Sequence, residues 1–141
     1  MITLNSKEIE LFKNLSQFET DKIYYDFHND FDCVKIFFEN TYLILAFRNI
    51  TDSRFVLFRF EKVVLEKFEF FDFEELKKIT IDNIYRGRCQ KDNELLEFDI
   101  NGKSYFYIEF YEGVKIELWS DSITIDELPL PPSNQAAPSV R

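Results

Sequence analysis

Residues 105–119 read YFYIEFYEGVKIELW, and the fold turns on which alternate set of these side chains faces inward. Alternation at period two is the signature of a half-buried strand, because successive side chains of a strand point to opposite faces. The stretch holds one glycine, Gly113, in the triplet Tyr111–Glu112–Gly113. A three-residue hairpin loop with glycine in the left-handed position predicts Phe110 opposite Val114, Ile108 opposite Ile116 and Phe106 opposite Leu118. Glu109 then meets Lys115, an attractive cross-strand pair. A slip of one residue would carry every apolar side chain to the other face.

The same reasoning extends in both directions. Asn101–Gly102 taken as a two-residue turn would put Phe98 opposite Tyr105 and Phe106 on the face of Glu97 and Asp99. A loop over Ile100–Asn101–Gly102 instead sets Phe98 opposite Ser104, Leu96 opposite Phe106 and Asp99 opposite Lys103, and it agrees with the Gly113 loop. A two-residue Ser120–Asp121 turn sets Leu118 against Ile123 and Ile116 against Ile125. The predicted inner face is Leu96, Phe98, Phe106, Ile108, Phe110, Val114, Ile116, Leu118, Ile123 and Ile125. The predicted outer face is Glu97, Tyr105, Tyr107, Glu109, Lys115, Glu117, Trp119 and Thr124.

An earlier hairpin follows the same logic. A two-residue Asn40–Thr41 turn aligns Phe38 with Leu43, Ile36 with Leu45 and Val34 with Phe47. Strands are predicted near 22–28, 33–39, 42–50, 54–70 with a break near Glu61, 79–89, 95–99, 103–110, 114–119 and 122–126. Short polar gaps between them favour hairpins and meanders over crossovers. A helix is predicted from about Ser6 to Leu15. Asn5 and Glu8 would cap it reciprocally, and Ile9, Phe12 and Leu15 would form its apolar stripe. A shorter helix is predicted over Phe73–Lys78, capped by Asp72. The fold class is mainly β (α+β): antiparallel meander sheets forming a sandwich or open barrel, with the N-terminal helix closing one side.

Composition bounds the function. The chain has 141 residues, 17 Phe and 7 Tyr, enough apolar material for one packed domain over residues 1–128. All four prolines fall in the tail 129–141, PLPPSNQAAPSVR, which is predicted to be extended and mobile. The formal charge is −9, from 26 acidic and 17 basic residues. With no cluster of Lys and Arg, direct nucleic-acid binding is disfavoured. Basic proteins, among them nucleases and other nucleic-acid binders, are the complementary partners. Two cysteines are too few for a disulfide scaffold, the first residues lack a signal-peptide pattern, and no apolar run approaches the ~18 residues of a membrane span. The expectation is a cytoplasmic protein away from membranes.

Three groups of residues stand out. Tyr105, Tyr107, Glu109, Glu117 and Trp119 on the outer face mix rigid aromatic area with carboxylates, a composition enriched at protein interfaces. Asp26, His28, Asp30 and Asp32 are spaced two apart in YYDFHNDFDC and would share one face if extended, as a hard-metal or acid–base site would need. Phe31 stands where a calcium loop has its turn glycine, and Asn29–Asp30 are ordinary turn residues, so the reading preferred is an acidic loop adding Asp26, Asp30 and Asp32 to a partner surface. Arg86 and Arg88 flank Gly87 as the one compact basic spot, where cross-strand pairing with Glu is the simpler reading than anion binding. Cys33 and Cys89 read as small buried hydrophobes. No nucleotide-binding, hydrolase or zinc motif is present, so neither cofactor nor metal is expected.

At RFVLFRFEKVVLEKFEFF, and again at LLEFDINGKSYFYIEFYEGVKIELWSDSITI, the chain resembles the small β-rich immunity proteins of bacterial polymorphic toxin systems. The shared feature is a rhythm: F-x-I-x-F, then E-G-x-x-I-E-L, then S-I-T-I. The resemblance implies a non-enzymatic protein that binds and blocks a cognate toxin. Two other classes fit the residues: a phage- or mobile-element-encoded inhibitor acting as an acidic nucleic-acid mimic, and a β-barrel holding a small ligand.

Overall fold

The computed structural model describes residues 1–69 and 78–129, and among them thirteen strands are defined. They are β1 (Ile2–Asn5), β2 (Gln17–Glu19), β3 (Tyr24–Asp26), β4 (Phe31–Glu39), β5 (Tyr42–Asn49), β6 (Phe55–Glu61) and β7 (Val64–Glu69). The second half holds β8 (Ile81–Arg86), β9 (Cys89–Lys91), β10 (Glu94–Leu96), β11 (Ser104–Phe110), β12 (Lys115–Ser120) and β13 (Ser122–Leu128). A five-stranded sheet runs β1-β13-β6-β5-β4, and a four-stranded sheet runs β7-β12-β11-β8. β2–β3 and β9–β10 form two separate ribbons, and every pairing is antiparallel.

The inner faces of the two large sheets share one core. Phe60 of β6 meets Phe106 of β11 edge-on at 5.3 Å, and Phe27 packs on Phe47 at 4.6 Å. Phe27, Phe47, Phe58, Phe60, Phe106 and Phe110 are all fully buried. Each contributes on the order of 1.5–3 kcal/mol by leaving water, beside the buried Ile, Leu and Val side chains of the same core.

The register read from Gly113 is the one observed. Phe106 pairs with Leu118, Ile108 with Ile116 and Glu109 with Lys115. The Phe110 amide donates to the Val114 carbonyl at 2.9 Å, and Gly113 has φ 98°. The preceding loop also has the expected form: Phe98 bridges Ser104, the Asp99 amide donates to the Lys103 carbonyl, and Gly102 has φ 82°. Beyond that bridge the prediction fails. Leu96 pairs with Cys89 in the β9–β10 ribbon, and β8 takes the edge of β11 with Arg86 opposite Phe106. Leu96 and Phe98 therefore leave the inner face, and Phe98 is 40 % exposed beneath the Arg86 guanidinium.

The Ser120–Asp121 hairpin is not formed. β12 and β13 lie in different sheets, and β13 pairs with β1 and β6. The Ser120 hydroxyl and the Asp121 amide both donate to the Glu61 carbonyl, at 2.6 and 3.2 Å. That carbonyl holds a corner where β6 passes into β7 beside the passage of β12 into β13, a standard way for strands to change sheets. Ile123 and Ile125 stay inward because either arrangement preserves the alternation. Thr124, expected outside, is buried instead, and its hydroxyl has no partner among the described residues. In the Asn40 hairpin Phe38 meets Leu43 and Ile36 meets Leu45, but a bulge between Cys33 and Lys35 puts Cys33, not Val34, opposite Phe47.

The N-terminal helix is replaced by β1, a single 3₁₀ turn over Ser6–Glu8 and an extended strap. Asn5 does cap the turn, accepting from the Lys7 amide at 3.0 Å, but Ile9 already has extended dihedrals. The donors a helix would use internally go elsewhere: the Phe12 amide to the Arg86 carbonyl at 2.8 Å and the Leu15 amide to the Ile84 carbonyl at 2.6 Å. The strap thus covers the open edge of β8, which otherwise would present unpaired backbone groups. Ile9 and Leu15 are buried, whereas Phe12 turns outward at φ 63°. The shorter helix expected over residues 73–78 falls outside the described residues apart from Lys78, as does the tail apart from Pro129.

Candidate docking face

The outer face of the four-stranded sheet carries three rows of side chains. The first is Tyr105, Trp119 and Val64 on β11, β12 and β7. The second is Tyr85, Tyr107, Glu117 and Lys67, and the third is Asn83, Glu109, Lys115 and Glu69. Tyr105, Tyr107, Glu109, Glu117 and Trp119, the five residues grouped as a docking surface, all lie on it with Lys115, whereas Thr124, also expected outside, does not.

In the first row Tyr105 and Trp119 are covered, and only Val64 is open. The β9–β10 ribbon folds over the two rings, and Tyr105 (5 % exposed), Trp119 (3 %) and Cys89 form a second small core joined by Leu96 and Tyr107. Tyr105 donates its hydroxyl to Glu117 Oε1 at 2.5 Å, and Trp119 Nε1 donates to Glu66 Oε2 at 3.0 Å. Lys91 of the ribbon reaches the same Glu66 oxygen at 3.0 Å and lies over the indole. The indole hydrogen bond, ahead of Lys91, holds the Glu66 carboxyl below its ordinary pKa. Loss of water, reinforced by the bond to Glu117, pushes the Tyr105 phenol far above its ordinary range.

The second and third rows are half-open. Tyr85 and Tyr107 lie 5.2 Å apart, and Phe12 from the strap extends the aromatic run at 6.0 Å from Tyr85. Arg88 lies over the Phe12 ring. Tyr107 donates to Glu109 Oε2 at 3.0 Å, Asn83 Nδ2 donates to Glu109 Oε1 at 3.3 Å, and Lys115 approaches Glu109 at 3.7 Å. Burial first, and Glu109 second, raise the Tyr107 phenol too. Lys67 pairs with Glu69 at 2.8 Å. The face is therefore aromatic in its middle and mixed in charge, not uniformly acidic. Tyr85, Asn83 and Phe12 belong to it without having been singled out in sequence; the alternation of Tyr85 against the inward Ile84 was the signal available.

Asp26, His28, Asp30 and Asp32 are not one row. β3 ends at Asp26, and a turn intervenes before β4 begins at Phe31. Asp26 closes that turn, accepting from the Asn29 amide at 3.0 Å and the Asn29 side chain at 2.8 Å. His28 Nδ1 is 2.6 Å from the Ile81 carbonyl and donates to it, while Asp32 pairs with Lys78 at 3.6 Å. Asp30 is exposed. Among the described residues no group of three or more His, Cys, Asp or Glu side chains is arranged to hold a metal. Cys33 and Cys89 are buried and unpaired by disulfide, and burial raises the Cys33 thiol to about 12. The basic spot divides: Arg88 is exposed, whereas Arg86 is buried and donates to the Lys7 and Ile9 carbonyls at 3.2 and 2.9 Å and to Glu97 Oε1 at 3.2 Å. It ties the N-terminal strap to the sheet.

No helix among the described residues is long and apolar enough to cross a membrane. A scan against protein-family models, a search of curated proteins and a search of solved structures each return no match for the chain.

Proposed function

We propose that the protein is a non-enzymatic, protein-binding inhibitor of the immunity type, neutralising a basic bacterial toxin in the cytoplasm. The observation that carries this reading is the half-open Tyr85–Tyr107 pair, set among Asn83, Glu109 and Glu117 on a rigid sheet face. Tyrosines held by cross-strand neighbours offer contact area at little entropic cost, which is why such residues dominate binding energy. A formal charge of −9 would speed capture of a basic partner by electrostatic steering. Tyr107, Glu109 and Glu117 remain the centre of the proposed surface, with Tyr85 added. Tyr105 and Trp119 support it from beneath the β9–β10 ribbon, and Asp26, Asp30 and Asp32 lie on separate elements that a large partner would have to span.

The alternative of a nucleic-acid mimic draws less support from this face, because Glu109 and Glu69 each have a lysine at hand. A small-ligand barrel draws less again, since large phenylalanines fill the space between the sheets.

The test is co-expression with the product of the adjacent gene, followed by co-purification and a growth assay. The reading predicts a stable complex and rescue from toxicity, with Tyr85→Ala plus Tyr107→Ala weakening the complex at least about tenfold. Absence of a complex, or a complex that leaves the partner fully toxic, defeats it.

A further inference from the structure

We infer that Phe12 is the anchor of the docking face, a ring presented outward to fill an apolar pocket on the partner. The inference rests on the proposed reading, because it takes the partner to engage the Tyr85–Tyr107 face. It adds to that face a residue from a different element, the N-terminal strap.

Ile9 and Leu15 of the strap are buried in the main core, whereas Phe12 between them is 57 % exposed. The Phe12 backbone lies in the left-handed region, at φ 63°. Among the described residues five other non-glycine residues have positive φ: Asn40, Ser53, Lys62, Asp92 and Asn93. None of these is apolar, and three are Asn or Asp, whose short polar side chains suit that region. A bulky side chain there is strained. Such strain persists where the surroundings enforce it, and it clusters at functional sites. Here the Phe12 amide, bonded to the Arg86 carbonyl at 2.8 Å, holds the turn in place.

The ring is also seated before any partner arrives. It lies 6.0 Å from the Tyr85 ring, and the Arg88 guanidinium lies over it at 5.6 Å. Both rings rest against Gly87, where an added Cβ would stand 3.1 Å from Tyr85 Cε2 and 3.6 Å from Phe12 Cε1. A ring held in this way has little freedom left to lose on binding, which separates an anchor from an exposed side chain at large. Phe12 offers no hydrogen-bonding group, and Arg88 above it is balanced by Glu97 at 3.7 Å. An apolar pocket is therefore its complement, with Tyr85 and Tyr107 alongside to exclude water.

The experiment uses the full chain and the product of the adjacent gene, in a binding titration. Phe12→Asn removes the ring and installs a residue that tolerates the left-handed backbone. It should weaken capture at least about tenfold and leave the urea midpoint of the free protein unchanged or higher. Phe38→Ala, which removes another exposed ring from the Asn40 hairpin, should leave capture unchanged. Undiminished capture by Phe12→Asn overturns the inference. So does a weakening matched by Phe38→Ala, or one accompanied by a lowered urea midpoint, which would make the ring a structural support. Normal capture by Phe12→Asn beside impaired capture by Tyr85→Ala plus Tyr107→Ala would leave the inhibitor reading standing without this anchor. No complex with the unmodified protein would defeat both.

Discussion

Tyr105 and Trp119 sit directly opposite each other on β11 and β12, their rings 5.5 Å apart and inclined at 64°, beneath the β9–β10 ribbon. Because Trp119 is the single tryptophan, its fluorescence reports that packing. The native emission should be blue-shifted and poorly quenched by iodide. Trp119→Ala should cost about 3–5 kcal/mol in urea unfolding, since it opens a large void beneath the ribbon and takes one of two donors from the Glu66 carboxylate. Trp119→Phe should cost less than half as much. A loss under about 1 kcal/mol for the alanine variant would show that the ribbon contributes little.

Arg86 should behave as a structural tie. It is buried and gives three hydrogen bonds, two of them to carbonyls of the N-terminal strap. Arg86→Ala leaves those carbonyls and Glu97 without their donor and should destabilise by about 3 kcal/mol or more. Arg86→Lys should recover little, because an ammonium cannot span the same forked geometry. Amide exchange at Phe12 and Leu15 should quicken in both variants, as these donors lean on the β8 edge. Unchanged exchange there would break the link between Arg86 and the strap.

How far the sequence led depends on what each signal encodes. Gly113 fixed a loop, the loop fixed a register, and the register placed Phe106, Ile108, Val114, Ile116 and Leu118 correctly. Period two says which way a side chain points and nothing about which strand lies alongside. Ile123 and Ile125 were therefore assigned to the right face and the wrong neighbour. The spacing of Ile9, Phe12 and Leu15 suited a helix, but the β8 edge took the amides instead, a long-range partner that no local pattern records. At the candidate site, the outward parity of Tyr105 and Trp119 was legible. Their cover was not, because most of the β9–β10 ribbon, Cys89–Lys91 with Glu94–Leu96, falls in or beside the gap between the strands expected at 79–89 and 95–99.

Alkaline pH should destabilise the fold before other chemistry does. The Tyr105 and Tyr107 phenols have folded-state pKa values raised above the ordinary 10.0, by burial and then by bonds to Glu117 and Glu109. The folded state then holds protons that the unfolded chain releases. Their contribution to stability is fully present below about pH 10 and is lost progressively as pH rises above it. Absorbance at 295 nm should show these two rings ionising only on unfolding. Stability flat from pH 9 to 11 would contradict this.

Both thiols should be silent in the native protein. Cys33 is 2 % exposed with its pKa raised to about 12, and Cys89 is 5 % exposed and raised by the same loss of water. The thiolate is the reactive form, so a disulfide reagent at pH 8 should label neither at a rate comparable with a free peptide. The two should nonetheless differ. Cys33 belongs to the main core and should react only with global unfolding. Cys89 lies under the small ribbon and should react through local opening, with a weaker dependence on urea. Trp119→Ala, which loosens that ribbon, should accelerate Cys89 at least about tenfold and leave the urea dependence of Cys33 unchanged. The same urea dependence for both labelling rates would mean that the ribbon and the main core open as one unit.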